Sequence, residues 1–118
     1  MKLLAVDTAT RTCSAAVIES DALRSEITLN TEQTHARFLM RTVAAAMEMA
    51  GMTYDDLDGF AVCCGPGRFT GLRIGISAIK ALAFACGKPL VGVSSLEALA
   101  RQAAPVQTLI SAWLDARQ

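Results

Sequence analysis

The stretch GPGRFTGLRIG, from Gly65 to Gly75, decides how the rest of the chain is interpreted. It holds four glycines in 11 residues, and a residue without Cβ is needed wherever another backbone must come close. The apolar run Gly59 to Cys64 before it predicts a buried strand, and the almost wholly apolar run Phe69 to Cys86 after it predicts a helix. The stretch is therefore a strand-to-helix elbow. Backbone N–H groups at such an elbow can bind a phosphate, a carboxylate or a neighbouring chain.

The glycine spacing matches neither of two common nucleotide-binding fingerprints. The elbow reads GxGxxxG rather than GxGxxG, and Gly87-Lys88-Pro89 stands where the dinucleotide fingerprint requires an acidic residue. No Gly-Lys-Ser/Thr follows the first glycines, as a P-loop would require. For the elbow alone, the residues favour a tight turn that packs the helix on the sheet over a phosphate site.

The composition indicates one folding unit without the charge of a nucleic-acid-binding protein. The chain has 118 residues, with 11 basic and 11 acidic side chains, so it cannot grip a phosphate backbone electrostatically unaided. The four cysteines lie in apolar or small-residue runs without CxxC spacing, which predicts buried free thiols and a reducing cytoplasm. They are Cys13, Cys63, Cys64 and Cys86. Arg73 and Lys80 interrupt the longest apolar stretch before it can span a bilayer, so we expect a cytoplasmic protein without membrane contact.

Apolar periodicity predicts five strands and three helices, in the alternation of an α/β fold. A continuous apolar run, Leu3 to Val6, predicts a central strand buried on both faces. Apolar and polar residues alternate from Leu23 to Asn30, which predicts a half-exposed strand near an edge. The other predicted strands are Ser14 to Glu19, Gly59 to Cys64 and Leu90 to Val93. The predicted helices are Ala36 to Ala50, Phe69 to Cys86, and a third that opens at the capping box Ser94-Ser95-Leu96-Glu97 and ends before Pro105.

The helix from Ala36 to Ala50 has a wider apolar surface than one sheet can cover. Its apolar positions span roughly 220° at about 100° per residue, about twice the arc of a one-sided surface helix. Phe38, Met40 and Met47 lie in this arc, and flexible methionines, Met49 among them, suit an adaptable interface. Gap-filling by these methionines in an ordinary core is the alternative.

The helix after the elbow has two contrasting sides. One side holds Gly71, Gly75, Ala78 and Leu82, and the other holds Arg73, Ser77, Lys80 and Phe84. The small residues permit close backbone approach to the sheet. An aromatic side chain left in water on a polar stripe forgoes about 1.5–3 kcal/mol of burial. The hypothesis is therefore that a partner helix covers Phe84, in a bundle to which helix 36–50 contributes.

Three further segments, taken with the elbow, carry a resemblance to a known family. They are LAVDTAT at Leu4 to Thr10, PLVGVSSLEAL at Pro89 to Leu99, and Asp115-Ala116-Arg117. Together they resemble the bacterial TsaB (YeaZ) family, although Arg68 stands where serine is usual. The resemblance implies a role in making the threonylcarbamoyladenosine of tRNA, as the non-catalytic partner of the related TsaD subunit. It also implies a TsaE-like ATPase as a further partner, a homodimer when the chain is alone, and contact with tRNA only through the complex.

The order of elements resembles one lobe of the actin-like (ribonuclease H-like, ASKHA) fold. This resemblance implies a mixed five-stranded sheet with helices packed on it. It also implies an N-terminal lobe over residues 1–105 and the start of a truncated second lobe over residues 106–118. It also makes Asp7 and Thr8, with Gly65 and Gly67, the vestigial cofactor-binding residues. The turn from Asp7 to Thr12 has no glycine, so at most weak ATP binding is expected, or ATP held by the partner subunit. Asp7 either binds a metal-held water or accepts hydrogen bonds from nearby N–H groups.

The sequence therefore predicts an accessory subunit that binds a TsaD-like catalytic subunit and catalyses nothing alone. No metal or cofactor of its own is expected, and His35, the one histidine, has no second histidine to form a metal pair. An enzyme alternative is a degenerate kinase or ATPase lobe whose Asp7 and elbow glycines still hold ATP. The third candidate is a self-associating scaffold unrelated to tRNA.

Overall fold

A computed structural model describes residues 1–20, 22–30, 36–67 and 69–94 of the chain. Several predictions concern residues outside these ranges. They are the predictions for His35, for the helix after Ser94, for the usual serine position at Arg68 and for the lobe boundary between residues 105 and 106.

Strands and helices alternate along the described residues. They are β1 (Lys2–Asp7), β2 (Thr12–Glu19), β3 (Ala22–Asn30), α1 (Ala36–Ala50), a short 3-10 helix (Tyr54–Asp56), β4 (Gly59–Gly65), α2 (Phe69–Cys86) and β5 (Leu90–Ser94). Both α-helices have the predicted bounds, and the strands extend the predicted runs by one or two residues at their ends. Neither helix combines the length and the apolarity that crossing a membrane requires.

The strands form a mixed sheet in the order β3-β2-β1-β4-β5, which confirms the predicted fold class. β1, β2 and β3 pair antiparallel, whereas β4 and β5 run parallel to β1. Parallel neighbours need a crossover connection, and α1 and α2 lead into the two parallel strands. β1 is the middle strand, as predicted. Leu4 and Val6 are buried on one face, but Leu3 and Ala5 on the other face are only half-buried, so the prediction of burial on both faces is confirmed for one face.

β3 is an edge strand, as its alternating pattern predicted. Ser25 and Ile27 are half-buried, and the Ser25 hydroxyl donates a hydrogen bond of 2.7 Å to the carbonyl oxygen of Ala46 in α1. Leu29 lies on the same side as Ile27 but is 40% exposed, because α1 covers only the middle of this strand. The register of β3 against β2 shifts between Ser25 and Leu23, so Leu23 pairs with Ile18 on the other face of the sheet and is 59% exposed.

The core lies between one face of the sheet and the two helices. Leu4 pairs in register with both Val17 and Phe60, so the three side chains share this face, and all are almost fully buried. The helices add Leu39, Val43, Ala46, Met47, Ile79 and Ala83 to the same cluster. Burial of a large apolar side chain stabilises a fold by about 1.5–3 kcal/mol relative to exposure. One shared core therefore fixes both helices on the same side of the sheet.

Hydrogen bonds order the acidic segment before β4. The Asp56 carboxylate accepts from the N–H of Thr53 at 2.8 Å and from its hydroxyl at 3.2 Å, and these bonds hold the pKa of Asp56 below its usual range. The Asp58 carboxylate accepts from the N–H of Lys2 at 2.7 Å, which ties the segment to β1. Leu57 between them is fully buried, so this acidic segment is anchored to the core.

All four cysteines are free thiols, as predicted, but their burial differs from the prediction. Cys13 and Cys63 are buried, and burial raises the pKa of the Cys13 thiol, partly offset by its hydrogen bond with Thr42. Cys64 is exposed. It lies where the pairing of β4 with β5 becomes irregular, beside Gly92, which has no side chain to cover it.

Candidate functional site

The elbow packs its glycines against the turn that follows β1. Gly71 and Gly75 are four residues apart in α2 and therefore share one side of the helix, and Gly67 lies in the elbow just before it. A Cβ atom at Gly67 would clash with the backbone of Ala9, and one at Gly71 would clash with the carbonyl oxygen of Thr8. A Cβ atom at Gly75 would clash with the Thr8 hydroxyl. The glycines therefore permit a backbone contact that any other residue would push apart.

Gly65 turns the chain from β4 into the elbow. Its φ of 107° lies in a region that residues with a Cβ atom rarely adopt. A Cβ atom there would also lie 3.0 Å from the side chain of Leu72. Of the two glycines predicted to bind a cofactor, Gly65 thus shapes the turn and Gly67 packs on Ala9.

The other two predicted cofactor-binding residues make hydrogen bonds within the chain. Thr8 is 1% exposed, and its hydroxyl donates a hydrogen bond of 2.6 Å to the carbonyl oxygen of Gly71. The N–H of Ala9 donates to Oδ1 of Asp7 at 2.9 Å. Of the two roles considered for Asp7, this bond corresponds to the second, in which the carboxylate accepts from a nearby N–H group. One hydrogen bond thus lies within the turn after β1, and the other connects this turn to α2.

The turn after β1 thus occupies the space that side chains at Gly67, Gly71 and Gly75 would need. Within the described ranges, no group of three or more His, Cys, Asp and Glu side chains is placed to hold a metal ion.

A second candidate site is the side of α1 and α2 that faces away from the sheet, here called the outer helix face. Its exposed residues are Arg37, Arg41, Ala44 and Glu48 of α1, and Thr70, Arg73, Ser77, Lys80 and Phe84 of α2. A groove of about 450 Å³ lies between the start of α1 and the first half of α2. Its lining consists of Ala36, Thr70, Arg73, Ile74, Ser77 and Ala78. Farther along α2, the Phe84 side chain is 91% exposed.

The structure places the predicted interface residues at three depths. Those of α2 are exposed on the outer helix face: Arg73, Ser77, Lys80 and Phe84. Phe38 and Met40 are half-buried, and Phe38 packs against the core. Met47 is 4% exposed and belongs to the core, so its assignment to a partner interface is corrected. α1 packs against α2 as well as against β2 and β3. These three elements together cover more of its apolar surface than the sheet alone would.

Met49, one of the methionines predicted to suit an interface, is 73% exposed near the end of α1. Arg37 and Arg41, exposed on the outer helix face, were not identified from the sequence as candidate interface residues. A detectable signal was their spacing, because like charges four residues apart repel each other on a helix.

Comparisons with known proteins agree with this architecture. A family model described as "TsaD: tRNA N6-adenosine threonylcarbamoyltransferase" matches residues 23–118. The "tRNA threonylcarbamoyladenosine biosynthesis protein TsaB" of Bacillus subtilis is 35% identical over 118 residues, which are 100% of this chain and 52% of that protein. The chain therefore spans about half the length of this curated relative.

Solved structures show the same relationship. YeaZ from Pseudomonas aeruginosa superposes with a TM-score of 0.82 at 36% identity, over 90% of this chain and 49% of that one. Thermus thermophilus RuvC superposes with a TM-score of 0.54 at 14% identity, over 85% of this chain and 68% of that one, and shares the fold alone. The sequence and structural matches together show that the chain belongs to the TsaD family, in which it is a homologue of the TsaB (YeaZ) proteins.

Proposed function

We propose that this chain is an accessory subunit that binds a TsaD-like catalytic subunit in the threonylcarbamoyladenosine modification of tRNA. The observation that carries the proposal is the 91% exposure of Phe84 on the outer helix face. A phenylalanine left in water forgoes about 1.5–3 kcal/mol of burial, so a partner that covers it gains that free energy. The partner would bind across α1 and α2, the layer of the fold that has the sheet on only one side.

The groove supports the packing of a partner helix on this face. Ala36 and Ala78 line it, and small side chains let another backbone approach closely. A partner side chain that packs between them would also contact Ile74, which adds apolar surface to the groove. Buried aromatic anchors surrounded by such contacts carry most of the binding energy of protein interfaces.

The name of the family model favours a second candidate, in which the chain itself supplies catalytic residues of a transferase. The contact between the elbow and the turn after β1 argues against it. Three elbow glycines touch Thr8 or Ala9, and the Thr8 hydroxyl is already bonded to Gly71. We therefore propose that the chain is not catalytic alone and that ATP binds weakly or on the partner subunit.

The resemblance to TsaB supplies the remaining parts of the proposal. We infer a homodimer when the chain is alone, a TsaE-like ATPase as a further partner, and contact with tRNA only through the complex. A cytoplasmic location belongs to the same proposal, since tRNA modification takes place there.

The decisive experiment mixes the chain with the TsaD homologue of its own organism and measures complex formation and threonylcarbamoyl transfer to tRNA. We expect Phe84→Glu to weaken binding by at least about tenfold, because a carboxylate would replace the aromatic anchor. The free energy of unfolding should change by less than about 0.5 kcal/mol, because the side chain is exposed.

Leu23→Glu is the matched control, because it places the same charge on an exposed apolar residue of β3, away from the helices. It should leave binding unchanged. Normal association of the Phe84→Glu variant would show that the outer helix face is not the interface. Absence of any complex with the unmodified chain would reject the proposed function itself.

Calorimetric titration with ATP and Mg²⁺ tests the proposed weak binding of ATP. We expect a dissociation constant of about 1 mM or weaker for the isolated chain, because the turn from Asp7 to Thr12 has no glycine to let a phosphate approach its backbone and the Thr8 hydroxyl is already bonded to Gly71. A dissociation constant in the micromolar range would instead support an ATP-binding lobe.

A further inference from the structure

We infer that the bulge at Arg24 in β3 protects the free edge of the sheet, because it prevents a second copy of this chain from pairing its own β3 there. This edge is a different surface from the outer helix face and belongs to the sheet. Three observations support its protection by the bulge: the length of the free edge, the signs of the charges along it, and the pairing register of β3 with β2.

β3 presents a long free edge. It has nine residues, Ala22–Asn30, and is the longest of the five described strands, whereas β5 at the opposite edge has five residues, Leu90–Ser94. β2 is its one neighbour among these strands, so the backbone N–H and C=O groups on its other side face away from the sheet. Such a row of groups is a template for pairing with a strand of another molecule.

The residues of β3 would not by themselves prevent this pairing. The strand has no proline and no lysine, and its charged residues, Arg24 and Glu26, have opposite signs. If β3 were regular, an antiparallel pair of two copies centred on Ser25 would place Arg24 of each copy opposite Glu26 of the other. Opposite charges that face each other across two strands stabilise the pair. The charges of a regular β3 would therefore favour a second copy.

A bulge interrupts the regular register at Arg24. Ser25 pairs with Val17, and Leu23 pairs with the next residue of β2, Ile18. Two residues of β2 thus lie opposite three residues of β3, and Arg24 is the extra one. A bulge bends its strand and increases the local twist, so an added strand cannot continue a regular ladder past it.

The bulge also leaves Arg24 engaged within its own hairpin. Its Nε atom lies 3.6 Å from Oε1 of Glu19 on β2. An incoming copy therefore gains no regular cross-strand pair between Arg24 and Glu26. The part of the free edge with a regular register is the six residues from Ser25 to Asn30, instead of the nine of the whole strand.

The test removes the bulge in two ways and compares both with a change that keeps it. Deletion of Leu23 brings Arg24 opposite Ile18, so the strand becomes regular, both charges remain and an exposed apolar side chain is lost. Deletion of Arg24 leaves Leu23 opposite Ile18 in a regular strand. Arg24→Ala is the matched control, because it removes the charge and retains the extra residue. All these chains also carry Phe84→Glu, so that association through the outer helix face does not contribute.

We expect each deletion to strengthen self-association at least about tenfold over the Phe84→Glu chain, because a longer regular edge allows more cross-strand pairs. Sedimentation velocity over a range of concentrations measures this change. Arg24→Ala should associate no more than the Phe84→Glu chain. Amide hydrogen exchange in β3 should slow as the concentration of either deletion variant rises, because the edge N–H groups become hydrogen-bonded.

A further substitution tests whether the gained association uses this edge. Thr28→Lys places a charged side chain at an exposed position in the regular part of β3, and lysine on an edge strand opposes strand addition. Added to either deletion variant, it should return self-association to the level of the Phe84→Glu chain.

Four results would overturn the inference. They are deletion variants that associate no more than the Phe84→Glu chain, an Arg24→Ala variant that associates as strongly as the deletions, and association that leaves hydrogen exchange in β3 unchanged. The fourth is the loss of the folded state in both deletion variants, followed by circular dichroism, because the bulge would then serve the fold itself and not the protection of its edge.

Discussion

The two sides of α2 differ in how their residues are used. On the inner side, Gly71 and Gly75 lie against Thr8 so closely that a single added carbon atom would clash. On the outer side, Phe84 is 91% exposed although it is among the largest apolar residues of the helix. Gly71 and Gly75 thus form a contact within the chain, whereas the Phe84 side chain is left almost fully exposed by the described residues.

This contrast changes the interpretation of a glycine-rich elbow. Glycines between a strand and a helix are often taken as a cradle for phosphate, because they leave N–H groups accessible. Here the space they leave is occupied by the backbone at Thr8 and Ala9. A glycine shows that another group comes close, and the identity of that group has to be found in the tertiary structure.

The largest expected loss of stability comes from shortening a side chain on the inner side of α2, and the same change on the outer side is the comparison. Ile79→Ala should destabilise the chain by about 2–5 kcal/mol, because Ile79 is fully buried in the core and its loss leaves a cavity. Phe84→Ala should change the free energy of unfolding by less than about 0.5 kcal/mol. Urea denaturation followed by circular dichroism measures both values. Equal losses would remove the distinction between the two sides.

A smaller loss of stability is expected at Gly71, which lies against the backbone of Thr8. Gly71→Ala should cost about 1–3 kcal/mol, because the new Cβ atom would overlap the carbonyl oxygen of Thr8 and force the helix away from β1. Ser77→Ala, on the outer side of the same helix, is the control and should be neutral or slightly stabilising, since alanine favours helix. Thermal unfolding of the two variants gives the comparison. A stabilised Gly71→Ala variant would mean that the elbow is held less tightly than described.

The smallest expected effect isolates one hydrogen bond of the inner contact. Thr8→Val keeps the shape of the side chain but removes the donor to the carbonyl oxygen of Gly71, and should cost about 1 kcal/mol. Thr70→Val makes the same replacement at an exposed position of α2 and should have almost no effect. The difference in denaturation midpoint between the two variants measures the bond. No difference would show that packing alone holds the turn to the elbow.

Several features of the fold followed from local pattern and were confirmed. Both helices begin and end where apolar periodicity and the stop signals Gly51 and Gly87 placed them. The alternation in β3 predicted a half-exposed strand near an edge, because an exposed face needs polar residues at every second position, and β3 is an edge strand. These features depend on residues close together in the chain, so a sequence pattern contains them.

Other features depended on residues far apart in the chain. The role of Gly71 is set by Thr8, which is 63 residues away, and no spacing within the elbow indicates that partner. Met47 was assigned to an interface from the wide apolar arc of α1, and its burial became evident only when α2 was seen to pack beside the sheet. Cys64 lies in an apolar run, yet the irregular end of β4 leaves it exposed.

The sequence by itself determined the elements, the central and edge strands and the family, because periodicity, turn residues and motif identity are local properties. Tertiary structure alone decided what each surface meets: that the elbow closes on the turn after β1, and that Met47 lies in the core where α1 packs beside α2. The physical reason is that the packing of a side chain depends on which distant element the sheet order brings against it. Sheet order is a property of the whole chain, so no single stretch of residues contains it.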